Sequence, residues 1–423
     1  MFQKKNTASI FSQYEKFLIA LLAVLQFTVI LDFMVLSPLG AVLLNELDIN
    51  ASQFGLVVSA YAFSAGISGV LSAGFADKFD RKKFLLFFYA GFLIGTVCCA
   101  LAETYNMLLI ARIVTGIFGG VIGSICFAIS TDLFKVELRG RVMGYLQMAF
   151  AASQVLGIPI GLKLAEIYGW YSSFWMIVIF GIPLGITIMV LMKPINAHLQ
   201  IQTKKNAFRH LVDTVKNKEH LRAYFATVLL ATGGFMMMPF GSAYSTNNLG
   251  LNIKDLPMLF GVTGIFTIIM GPLIGKFSDK IGRFKMFLGG SALSIIIISI
   301  YTHIGITPFY LIILLNVVMF MGITARIISS SALISTVPKP ENRGAFMSIN
   351  ASIQQMSGGL ASALAGVIVV KTPSGYLERY DILGYVVIAS MVIASIFIYN
   401  LDRYTRNKAK LETMAKNEEL AKN

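Results

Sequence analysis

The chain has 423 residues, 56% of them hydrophobic and only 13% charged, with a mean hydropathy of +0.73. A soluble fold of this size carries about 25% charged residues, so the apolar excess must face lipid. The three cysteines, Cys98, Cys99 and Cys126, fall inside apolar runs and offer neither a disulfide framework nor a metal-ligand spacing.

The polar, basic leader Met1–Lys16 precedes an apolar run too long for a signal peptide and without a small-residue cleavage pattern, so no cleavable signal is expected. Apolar windows of about 20 residues then predict twelve spans. They cover 17–42, 53–75, 84–103, 106–132, 142–165 and 173–193, then 222–246, 257–275, 286–304, 308–333, 344–370 and 381–400. The fold class expected is all-α and integral to the membrane, with twelve helices in two six-helix bundles. Residues 1–193 form the first bundle, 194–221 a linker, 222–402 the second bundle and 403–423 a tail.

With both termini on one side, the connections on that side hold 29 of the 35 Lys and Arg. The opposite connections hold four: Lys163, Lys254, Lys371 and Arg379. By the positive-inside rule both termini are cytoplasmic, in a multi-pass protein of the cell (inner) membrane. The charge of +14 is therefore topology and attraction to the inner leaflet and its lipids, and no nucleic-acid partner is implied.

Span one contains a single charged residue, Asp32. About 15 residues at 1.5 Å each separate it from Phe17, which puts it near mid-bilayer. A carboxylate there costs about 2.5–3.5 kcal/mol on insertion scales, which makes it a functional candidate. Burial favours the neutral carboxyl and a nearby cation favours the charged one, so a group balanced between them can carry a proton. The candidate cation is Arg112 in span four. Asp32 and Arg112 could equally form a permanent structural pair. Asp32 could instead bond backbone groups freed by Pro38, or pair with a cationic substrate.

Tyr61 in span two, Gln147 and Gln154 in span five, and Asn350 and Gln354 in span eleven should point inward, because lipid leaves polar groups unsatisfied. There they either line a cavity or join helices. Lys163 with Glu166 is read as a local ion pair or a snorkelling side chain. In the linker, Phe208, Leu211, Val212 and Val215 make an apolar stripe flanked by Arg209, Lys216 and Lys218, as in a surface-lying amphipathic helix. Met236, Met237 and Met238 in span seven offer either an adaptable apolar wall or plain packing. Arg326 in span ten either attracts an anionic substrate group or snorkels towards the cytoplasm.

The two halves repeat. AGFADKFDRKK (73–83) matches GKFSDKIGRFK (275–285) at a shift of 202, pairing Asp77 with Asp279, Lys78 with Lys280 and Arg81 with Arg283. ELRGRVM (137–143) matches ENRGAFM (341–347) at 204, and DFMVLSPLG (32–40) matches GGFMMMPFG (233–241) at 201. Gly233 thus stands for Asp32, and at the 204 shift Asn316, a further cavity candidate, stands for Arg112.

These residues resemble the major facilitator superfamily. The loop after span two is similar to that family's G-x-L-a-D-[RK]-x-G-R-[RK] signature, with Ala73 and Asp80 in place of its glycines. Gly275, Asp279, Lys280, Gly282 and Arg283 give the cleaner copy. Leu108, Arg112, Thr115 and Gly116 resemble the span-four signature L-x-x-x-R-x-x-[QT]-G. Gly157, Pro159 and Gly161 resemble the antiporters' span-five signature G-x-x-x-G-P-x-x-G-G, with Pro one place late and Ser153 at the first Gly position. The nearest likeness is to the drug:proton and sugar-efflux branch.

The resemblance implies two rocking halves around a midplane site, with Arg112 facing the cavity of its own half. It also implies a cytoplasmic latch in which Asp77, Lys78 and Arg81, and their copies Asp279, Lys280, Gly282 and Arg283, meet the start of span eleven near Arg343. Glu137, Arg139 and Glu341 belong to the same latch. The expected activity is proton-coupled export of a small amphipathic or cationic compound by a monomer. The rivals are a symporter or uniporter for a sugar or organic acid, and a lipid flippase or non-transporting sensor. With no nucleotide motif and no Ser/His/Asp set, neither an enzyme nor a cofactor beyond the proton gradient is expected.

Overall fold

The computed structural model describes residues 11–73, 76–196, 199, 214–338 and 343–422. Among these, eleven helices are long and apolar enough to cross a membrane. Span eleven, Arg343–Ile368, is the twelfth long helix. Its Asn350, Gln354, Gln355 and small residues lower its apolarity, and span two rather than lipid covers one of its sides.

Local signals set the ends of the helices. Ser12 starts span one (Gln13–Val35) with a reciprocal cap, the Glu15 N–H donating to Ser12 Oγ and the Ser12 N–H to Glu15 Oε2. Thr104 caps span four (Tyr105–Leu133) by accepting from the Met107 N–H. Asp80, where the family signature has glycine, caps span three (Arg81–Ala100) and also accepts from the Ile195 N–H beyond span six (Ser172–Leu191). Gly282, its counterpart between span eight (Leu256–Ile281) and span nine (Arg283–Tyr301), has φ of 106°, a conformation that needs glycine. The two copies of one motif therefore make different turns.

Three spans depart from uniform helix. Span one breaks after Val35, because Pro38 has no N–H to give, and resumes as Gly40–Glu46. Span seven repeats the break at Pro239, between Lys218–Phe235 and Gly241–Asn247. Span five widens into a π turn over Ser153–Gly157, between Val136–Ala152 and Ile158–Tyr168. Pro159 cannot return a hydrogen bond to the Val155 carbonyl, and the widened turn accommodates that loss.

Span two (Ala51–Ala73) and span eleven meet through small residues along most of their length, joining the two halves. A Cβ on Gly55 would lie 2.8 Å from Ser362 O, and one on Gly69 3.2 Å from Ser352 Oγ. From the other side, Gly359 would meet Ala62 and Gly366 would meet Ala51 and Ser52. On the second flank Gly264 of span eight packs on Val155 of the π turn, and Gly261 on Pro159.

Span ten is Phe309–Ile334, and a short antiparallel pair, Val370–Lys371 with Leu377–Glu378, leads into span twelve. Span twelve runs unbroken over Tyr380–Lys422, through residue 402. Its 43 residues measure about 65 Å at 1.5 Å each, twice the hydrocarbon thickness, so it projects beyond the face that carries the termini. Of the amphipathic stripe expected in the linker, Phe208, Arg209, Leu211 and Val212 lie outside the described residues. Residues 214–216 are helical, with Val215 exposed.

The inter-half seam yields a prediction. Gly55→Leu forces backbone apart and should cost at least about 1 kcal/mol in thermal unfolding of the detergent-solubilised protein. Gly289→Leu, where a Cβ meets nothing within 4 Å, should leave unfolding unchanged.

Candidate functional site

Asp32 and Arg112 meet in the interior of the first half, both 0% exposed, with Nη1 donating to Oδ2 at 2.6 Å and to the Asp32 carbonyl at 3.3 Å. Thr96 of span three donates to the other carboxylate oxygen at 3.4 Å while also bonding the Phe92 carbonyl. The Tyr61 ring lies under the guanidinium, 4.4 Å from ring centroid to Cζ. Arg112 Nε and Nη2 are buried without a hydrogen-bond partner, so the cation is only partly satisfied. Phe33 stands 5.4 Å from the Tyr61 ring and 5.9 Å from Phe235 of the second half. These three rings form an aromatic layer across the two halves beside the pair.

Span one is held from behind by span five. Ser153 donates to the Phe27 carbonyl, Gly157 faces Leu31, and Gly161 faces Val35. Both sets recur every four residues, so a small-residue stripe lies along a large-residue one. The serine that replaces the signature's first glycine adds a hydrogen bond to that contact. Pro159 projects from another face of the helix, towards Gly261.

At the face opposite the termini, the breaks at Pro38 and Pro239 bring the halves together. The Ser37 carbonyl accepts from Ser242 Oγ at 3.2 Å, and Ser242 Oγ accepts from the Ala41 N–H at 3.4 Å. The Phe54 and Phe240 rings meet edge to face, and Lys371 Nζ donates to the Leu44 carbonyl at 2.6 Å. This mouth is closed.

At the face bearing the termini, Arg81 Nε donates to Asp132 Oδ2 at 2.9 Å, and its Nη1 to the Ala76 carbonyl. Arg283 Nη1 donates to the Ala332 carbonyl at 3.0 Å. Each arginine thus reaches the end of the fourth helix in its own half; the expected contact with the start of span eleven falls on Asp77 and Arg343, whose side chains are not described. Asp279 and Lys280 are exposed, as is Lys78. The side chains of Asp77, Glu137, Arg139 and Arg343, and all of Glu341, lie outside what is described.

The other cavity candidates scatter. Asn350 accepts from Thr227 Oγ1 at 2.6 Å and joins spans seven and eleven. Asn316 bonds its own helix at the Ile312 carbonyl. Gln154 is half-buried in the π turn, Met237 half-buried at the break within span seven, and Gln354 exposed. The Gln147 side chain lies outside the described residues. Lys163 pairs with Glu166 at 2.7 Å. Arg326 is buried in the second half.

A sequence profile of the Major Facilitator Superfamily matches residues 22–362 and 223–422. The chain belongs to the major facilitator superfamily. It is a multi-pass membrane transporter, and its twelve-helix fold is that of the family. It is 24% identical over 393 residues to the uncharacterised MFS-type transporter YbcL of Bacillus subtilis (strain 168), covering 90% of this chain and 95% of that one. Multidrug resistance protein 3 of the same organism is 34% identical over 133 residues, 31% of this chain and 25% of that protein. Among solved structures, a bacterial homologue of the human lysosomal transporter Spinster, inward-facing and unoccupied, superposes with a TM-score of 0.73 at 16% identity, over 94% and 98% of the two chains. The nucleoside transporter NupG superposes at 0.72 and 14% identity, over 91% and 99%.

The pair makes a stability prediction for this transporter. Asp32→Asn or Arg112→Gln alone leaves one buried partner uncompensated and should cost about 3–5 kcal/mol. The double variant should recover most of that loss in a thermal-unfolding cycle. Simply additive losses would show that the two side chains are not coupled.

Proposed function

We propose that this protein exports a small amphipathic compound in exchange for protons, by alternating access of its two halves. The observation that carries the reading is a carboxylate fully buried at mid-span against a single, partly satisfied arginine. Protonation of Asp32 cancels the attraction that ties span one to span four. Span one is also the helix that span five grips along Phe27, Leu31 and Val35, and its break at Pro38 leads into the closed mouth. A proton at Asp32 therefore loosens the element that reaches both the site and the seal. Each proton moving inward contributes about 2.3 kcal/mol per 100 mV of membrane potential.

Export, rather than uptake, is supported by the span-five signature and by the relative named for multidrug resistance. A cationic substrate gains no support from the buried charges. Asp32 and Asp402 are the buried carboxylates among the described residues, and they pair with Arg112 and Arg406.

The test uses purified protein in liposomes loaded with a pH dye, challenged with a panel of amphipathic dyes and drugs. Wild type should move protons opposite to the transported compound. Asp32→Asn/Arg112→Gln, which keeps the interior neutral, should still exchange labelled for unlabelled compound but lose uphill transport by at least tenfold. Uphill transport at the wild-type rate by the double variant, or protons moving in the same direction as the compound, would refute the reading.

A further inference from the structure

Arg326 lies within the second half, 4% exposed, with Nε and Nη2 buried and without a hydrogen-bond partner. Among the described residues no carboxylate pairs with it. Its guanidinium carbon stands 5.5 Å from the centroid of the Phe287 ring, at the outer limit of a cation–π contact. A buried cation left in this state is expensive unless something else supplies the counter-charge.

The repeat shows where that counter-charge fits. Gly233 occupies the position that corresponds to Asp32, and a Cβ built there would be in van der Waals contact with Met391 Cγ at 3.6 Å, Ser390 Oγ at 3.7 Å and Arg326 Nη1 at 3.8 Å. The first half fills this place with its own carboxylate, whereas the second half leaves it without a side chain and keeps a cation facing it. Beside it, a Cβ on Gly234 would meet nothing within 4 Å, so span seven is open there. The guanidinium points at span seven inside the bundle, which disposes of the snorkelling role.

We propose that Arg326 receives an anionic group of the transported compound, a carboxylate, sulfonate or phosphate, which sits in the notch left by Gly233. The compound supplies in the second half the charge that Asp32 supplies in the first. The inference rests on the chain being a transporter, and on neither its direction nor its proton coupling. Combined with the apolar surroundings, it makes the substrate an amphipathic acid or a zwitterion.

Equilibrium binding to protein in phosphatidylcholine nanodiscs tests it with three matched probes: 1-naphthoate, 1-naphthalenemethanol and 1-naphthylmethylammonium. Wild type should bind naphthoate at least tenfold more tightly than the alcohol, and the ammonium most weakly. Arg326→Gln should reduce the acid's advantage to less than twofold. Gly233→Asp, which fills the notch with a carboxylate and keeps the arginine, should do the same, and Arg326→Lys should retain part of it. Size-exclusion profiles matching wild type certify the folded state, and Gly233→Asp serves as the arm in which the buried charge stays compensated. Wild type that binds the acid no better than the alcohol overturns the proposal, as does an advantage undiminished in both Arg326→Gln and Gly233→Asp. Displacement of naphthoate by chloride at a concentration equal to its own assigns the site to an inorganic anion and overturns it too. Proton coupling that fails while the acid's advantage stands removes the proposed antiport alone.

Discussion

Hydrocarbon solvates no polar atom, and this protein's interior is arranged around that constraint. Its serines and threonines mostly return their hydroxyls to a carbonyl three or four residues back, as Ser64, Thr115, Ser130 and Thr263 do. At the break around Pro38 the Ser37 carbonyl accepts from the Gly40 N–H and also from Ser242 across the molecule. The mouth seal thus uses backbone groups that the helix break turns towards the other half. Likewise Asp32 is tolerable because Arg112 and Thr96 surround it, and Arg112 because Asp32 and the Tyr61 ring do.

Duplication supplied one geometry twice, and the two halves then diverged in chemistry. Pro38 and Pro239 break corresponding helices, and Arg81, through Asp132, and Arg283, through the Ala332 carbonyl, clamp corresponding helix ends. Against this shared frame the charges are unequal. The first half pairs its buried cation with a carboxylate, while the second sets its cation beside a glycine. The two halves thus share their helix geometry and differ in how their buried charge is balanced.

Much of this was legible in the sequence because lipid imposes simple rules. Apolar run length gave the spans, the repeat gave the two halves, and a lone carboxylate with a lone arginine in the same half gave the pair. What escaped the reading depends on contacts no pattern carries. Thr96 looks like any threonine in an apolar helix until the fold places it on Asp32. Asp132, the partner of Arg81, has no acidic copy in the second half, so the repeat could not single it out. The π turn follows from Pro159 two residues beyond a glycine, a cue equally consistent with a kink. Span twelve outran its expected end because its polar continuation is a good helix former without being apolar, and hydropathy registers only the bilayer portion.

The glycine contact between spans two and eleven has one more consequence. From Gly55 to Gly66 backbone lies close to backbone over 11 residues, about 16 Å of a hydrocarbon layer about 30 Å thick, and Ser352 Oγ continues the contact to Gly69. No acyl chain fits between helices that approach so closely. A molecule dissolved in the bilayer therefore finds no side door on this flank. What it meets there is a continuous wall, and a lipophilic solute must arrive by way of the aqueous mouth or the opposite flank.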